Sequence, residues 1–135
     1  MNTQTTTNEY MLLFRGPNWD QGLSPEELQE RMDRVMAWFE GLKDQGKVKG
    51  GQALGAEGRF ISGKYGRTVA DGPFAESKEA VGGYLLLQTD DLDEAVAIAK
   101  SNPTLQYGLT IEVRPVLEEC PVFQRAKERL AAAAA

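Results

Sequence analysis

The chain has 135 residues, enough for one domain built on a single core and too short for two. Hydrophobic residues make up 41% and charged residues 26%, ordinary for a globular protein, and no apolar run approaches the roughly 18 residues of a membrane span. A formal net charge of −5 with no basic cluster argues against nucleic acid as a partner, and the polar start MNTQTTTNEY has neither the basic nor the apolar region of a secretory signal, so a cytoplasmic location with no membrane contact is expected.

Residues 1–9 are rich in Thr, Asn and Gln and nearly devoid of apolar side chains, which reads as a disordered lead. Tyr10 to Arg15 is the first expected strand, ended by Gly16 and Pro17. The following loop carries Trp19, which either covers a cleft or folds onto the edge of the core. Ser24 opens a helix: it caps the free amides, Pro25 suits the first helical position, and Glu27 completes a Ser-x-x-Glu capping box. The spacing of Leu28, Met32, Val35, Met36, Phe39 and Leu42 predicts an apolar stripe running to about Gln45, with Gly46 in the left-handed position beyond. Next, glycines punctuate short β segments, Arg59 to Ser62 and Arg67 to Ala70, joined by a hairpin turn over Gly63 to Gly66. Neither a Walker lysine-serine pair nor a G-x-G-x-x-G motif is present, so phosphate cradling is not expected.

Gly82 to Thr89 reads as a central strand, because Tyr84, Leu85, Leu86 and Leu87 are too continuously apolar to leave either face wet. Asp91 and Glu94 start a second helix with Leu92, Ala95, Val96 and Ala99 inward, ending near Asn102 and Pro103. Leu109 to Arg114 alternates as a last strand, Leu109, Ile111 and Val113 facing one way and Thr110, Glu112 and Arg114 the other. The resulting β-α-β-β-β-α-β order fits an antiparallel sheet with two helices on one face, and its bare face calls for a second copy, giving an isologous homodimer. Gln124 to Ala135 is rich in helix formers, so residues 117–135 form an extra C-terminal helix.

Between the hairpin and the central strand stands DGPFAESKE, Asp71 to Glu79, followed by VGGYLLLQTDDLDEA and later IEVRPV. This run resembles the DGPF group of the YCII-related family over about residues 10–116. The resemblance implies a ferredoxin-like α+β fold that pairs as a dimeric α+β barrel, and, in some members, a His-Asp pair. Asp71 matches the carboxylate; the histidine has no counterpart, since the chain contains none.

The lack of histidine excludes Ser-His-Asp and Cys-His nucleophiles, His-based zinc sites and a histidine proton shuttle. The single cysteine, Cys120, excludes an internal disulfide. No cofactor and no metal are expected. Asp71-Gly72-Pro73-Phe74 has the residues of a turn; it also offers Asp71 as a general base or acid at a cavity between sheets, with Phe74 forming a pocket wall. Arg114 is the candidate to pair with Asp71 or to grip an anionic substrate, and Tyr84 and Arg15 are further candidates for the cavity wall. Three functions fit: a cofactor-free proton-transfer enzyme resembling lactone isomerases, a non-catalytic ligand-binding or regulatory dimer, or an interaction module. The resemblance connects the last with transcription-initiation factors.

Overall fold

The computed structural model describes residues 8–71 and 80–135. β1 (Glu9–Arg15) alternates as its sequence requires: Tyr10 and Leu12 are buried on one face of the sheet, and Met11 and Leu13 stand half-covered on the other. α1 (Pro25–Asp44) begins where the capping box places it. The Ser24 hydroxyl accepts from the Glu27 amide at 3.2 Å, and the Ser24 amide donates to the Glu27 carboxylate at 3.0 Å. Gly46 lies just beyond the helix with φ 70°, as a C-terminal glycine should. The stripe is narrower than the spacing predicted. Leu42 is buried, while Met32 and Met36 are about half exposed, because the helix rests on the core through Trp38, Phe39 and Leu42 and those methionines ride at its edge.

The strand count corrects the sequence-based order. A sixth strand, β2 (Val48–Ala53), forms where glycines had suggested only punctuation, and is followed by β3 (Arg59–Ser62), β4 (Thr68–Asp71), β5 (Val81–Gln88) and β6 (Thr110–Pro115). Four strands make one antiparallel sheet in the order β2-β5-β1-β6, and β3 and β4 form a separate hairpin. β2 escaped detection because its stability comes from main-chain pairing with β5 rather than from side chains. A Cβ on Gly51 would stand 2.6 Å from the Tyr84 carbonyl oxygen, so the close approach of the two backbones demands glycine there.

α2 (Leu92–Lys100) is capped by Asp91, whose carboxylate accepts from the Glu94 amide at 2.9 Å. Glu94 reaches back to the amide of Asp90, one residue earlier than the expected box, at 2.8 Å. Ala95 and Ala99 are buried with Leu42 against Tyr10, Leu12, Leu85 and Leu87, so both helices cover the same face of the sheet. A 3-10 turn at Pro103–Tyr107 joins α2 to β6 and is capped by Asn102. This is a ferredoxin-like α+β architecture with an open four-stranded sheet and a third helix, α3 (Pro121–Ala134), appended after β6.

The Lys47 ammonium donates to the Glu94 carboxylate at 2.6 Å, pinning the start of β2 to the start of α2. That bond, helped by the Asp90 amide, holds the Glu94 carboxyl below its ordinary range, and the same bond raises Lys47. A depressed folded value places the stabilisation above the unfolded carboxylate value of about 4.3, and it is lost as pH falls through the folded value. Acid titration from about pH 5 to about pH 3, read by thermal melting, should therefore lower the stability of the parent chain more steeply than that of Glu94→Gln. Parallel curves would show that the pin contributes nothing.

Candidate functional site

The sheet end formed by the C-termini of β1 and β2 and the N-terminus of β5 opens into a cavity of ≈ 700 Å³ beneath α1. Its cause is a shortage of side chains. Residues paired across antiparallel strands share a face, so Gly51 and Leu85, and Ala53 and Gly83, lie on the helix-covered side with Leu12 and Phe14. Three of the positions that should project toward α1 there are Gly51, Ala53 and Gly83. Val35 and Phe39 form the helical wall, Phe14, Val48 and Leu85 the floor, and Leu109 closes the side near β6.

The segment after β1 supplies the rim, from Gly16 to Asp20. It is fastened by an aromatic and cationic stack. The Trp19 ring lies 5.8 Å from that of Tyr107, Arg31 stacks over Tyr107 at 4.1 Å, and the same guanidinium donates to the Trp19 carbonyl at 2.9 Å. Of the two readings the sequence left for Trp19, the cleft-covering one holds. Deeper in, the Asn102 side-chain oxygen accepts from both the amide and the hydroxyl of Thr104, at 2.7 and 2.6 Å.

The expected site residues do not converge in the chain as described. Asp71 ends β4 on the hairpin, its side chain 75% exposed and its carboxylate 3.3 Å from the Arg59 guanidinium. Arg114 is 68% exposed on the bare face of the sheet, 3.6 Å from Glu112. Neither lines the cavity, which lies on the opposite face of the sheet from Arg114. Each has its own ion-pair partner. Arg15 and Tyr84 do border the cavity, but their strand positions send both side chains to the bare face: Tyr84 pairs with Leu13, and Arg15 donates to Glu112 at 2.8 Å. What they present to the cavity is main chain. Phe74 falls outside the described residues.

Cys120 is exposed at the start of α3 and is not among the residues lining the cavity. The nearby backbone amides of Phe123 and Val122, at the open start of the helix, hold the thiol below its ordinary range. Among the described residues, no three His, Cys, Asp or Glu side chains gather as a metal site requires.

Residues missed from the sequence were those of the cavity wall itself. Val35 and Phe39 read as core because a wall and a core need the same spacing; the available signal was the pair of Gly-Gly steps, 50–51 and 82–83, which matter only once β2 is known to lie beside β5. With Asp71 on an exposed hairpin, Asp71→Asn should shift the melting temperature by no more than about 2–4 °C, since an exposed ion pair contributes about 0–1 kcal/mol. A loss of folding on that substitution would restore a structural role to the Asp71 turn.

No curated protein matches the chain. The model of the YCII-related domain matches residues 9–119, which takes in the whole four-stranded sheet, α1, α2, the hairpin and the cavity. That span covers most of the 135 residues, and the chain belongs to the YCII-related family.

Proposed function

We propose that this chain is a small-molecule-binding protein of the DGPF group that works as a homodimer and holds its ligand in the cavity beneath α1. The observation that carries the reading is the cavity of ≈ 700 Å³, walled by apolar side chains and rimmed by a fastened loop. Its volume lies within the range of about 300–1,000 Å³ common to small-molecule sites. Binding takes precedence over catalysis because the expected acid–base group, Asp71, is on an exposed hairpin and borders no described cavity. A proton-transfer role for Asp71 requires the hairpin to meet a cavity on assembly. A regulatory role is the second form of the reading, supported by α3, whose exposed Val122, Phe123 and Leu130 give a partner protein an apolar contact.

The dimer rests on the bare face of the sheet. Met11 stands beside Leu86 and Leu13 beside Tyr84 in adjacent rows, with Arg15, Glu112 and Arg114 at the β6 side. Two such faces stacked about a two-fold axis cover one another, apolar rows at the centre and charges toward the rim. Sedimentation equilibrium at tens of micromolar, an order of magnitude suited to an interface of standard size, should report a dimer, and Leu86→Lys should report a folded monomer. A parent chain that sediments as a monomer would sink the barrel reading.

A thermal-shift screen of small molecules tests binding. A ligand at about 100 times its dissociation constant stabilises the folded state by about 2.7 kcal/mol. Val35→Trp, which fills the cavity from α1, should remove the shift given by any hit. Hits that stabilise this variant as strongly as the parent would bind elsewhere, and the cavity reading would fall.

A further inference from the structure

Taking the cavity as the ligand site, we infer that it selects neutral, largely apolar molecules and rejects anions of the same shape. The apolar side chains lining its floor and walls are Phe14, Val35, Phe39, Val48, Leu85 and Leu109, none of which can pair with a charge. Of the polar side chains at its margins, Asn18 and Gln52 carry no charge, and the pair deeper in is engaged already. The Asn102 side-chain oxygen accepts from both the amide and the hydroxyl of Thr104, and β2 spends one edge of its main chain in the ladder with β5, continued by the bond from the Leu54 amide to the Gly82 carbonyl at 3.0 Å.

Among the described residues, Arg15 is the one cationic residue bordering the cavity. Its guanidinium is on the bare face of the sheet, bound to Glu112, which also faces Arg114. Among the described residues, the charged side chain left at the rim is Asp20, an anion itself. An anionic ligand would thus lose its hydration against apolar walls, find no cation inside among the described residues, and pass a carboxylate on the way in. A neutral ring system loses little on transfer and gains contact with Phe14 and Phe39.

The test uses two dyes that share a ring skeleton and differ by one sulfonate: neutral N-phenyl-1-naphthylamine and anionic 1-anilinonaphthalene-8-sulfonate. Each brightens on entering an apolar site, and each is titrated into the full chain and into two blocking variants. One is Val35→Trp. The other is Ala53→Phe, at an exposed position that tolerates a large residue if Val35→Trp does not fold. The expected result is that the neutral dye binds at least about tenfold more tightly than the anionic one, and that either variant weakens it by at least about tenfold. Anionic-dye binding that equals the neutral dye's and is lost in the same variants would overturn the inference while leaving the cavity reading intact. Neutral-dye binding indifferent to both variants, or no response to either dye, would overturn the cavity reading and this inference with it. Asp20→Lys adds a rim cation without touching the walls, and should tighten the anionic dye several-fold while leaving the neutral dye within about twofold. An unchanged anionic affinity there would show that Asp20 has no part in the selection.

Discussion

The pairing of β1 with β5 is the contact on which the rest of the molecule depends. It sets Leu12 beside Leu85 and Tyr10 beside Leu87, and Leu12 and Leu87 are sealed from solvent completely. Fully burying side chains of this size contributes roughly 1.5–3 kcal/mol each, a large share of the stability of a small domain. Everything else attaches to this pair. β6 lies along β1, β2 along β5, and α1 and α2 bring Leu42, Ala95 and Ala99 down onto the leucines. Truncating Leu12 or Leu87 would open a hole that no neighbour can fill, at a cost of about 2–5 kcal/mol.

Away from that centre the fold spends its side chains unevenly, and the two consequences are opposite in kind. On the helix side, Gly51, Ala53 and Gly83 leave space beneath α1, and the space becomes a cavity because Val35 and Phe39 span it without collapsing into it. On the other side, Met11, Leu13, Tyr84 and Leu86 stand in rows that neither α1 nor α2 covers. A cavity lined by one chain suits a small ligand, whereas a flat apolar sheet face suits another sheet. The two surfaces therefore support different parts of the proposed function, binding by the single subunit and assembly by the pair.

The hairpin of β3 and β4 belongs to neither surface. Phe60, Ile61, Tyr65 and Val69 are exposed on it, and Tyr65 holds a left-handed backbone, φ 62°, that a non-glycine residue adopts only at a cost. Isolated two-stranded hairpins are marginal in water. Its salt bridge between Arg59 and Asp71 and the flanking of Tyr65 by Lys64 and Arg67 are its own resources. The Asp71 carboxylate is thus committed to the hairpin's ion pair in the single chain, and any chemistry it performs depends on what the hairpin meets.

Wherever a local rule was sufficient, the sequence alone determined the outcome. Ser24, Pro25 and Glu27 start α1 because a capping box needs only neighbours within one turn, and Ile111 and Val113 turn inward because strand alternation has period two. The family signature located the fold for the same reason, being contiguous. Tertiary structure decided the rest. β2 exists because β5 offers it a ladder, the cavity because small residues from two separate strands meet under one helix, and the separation of Asp71 from Arg114 because they end strands in different sheets. Each of these depends on register between segments distant in the chain. Spacing along a single segment carries no information about which strand lies beside it, and so none about which glycines share a floor or which charges share a face.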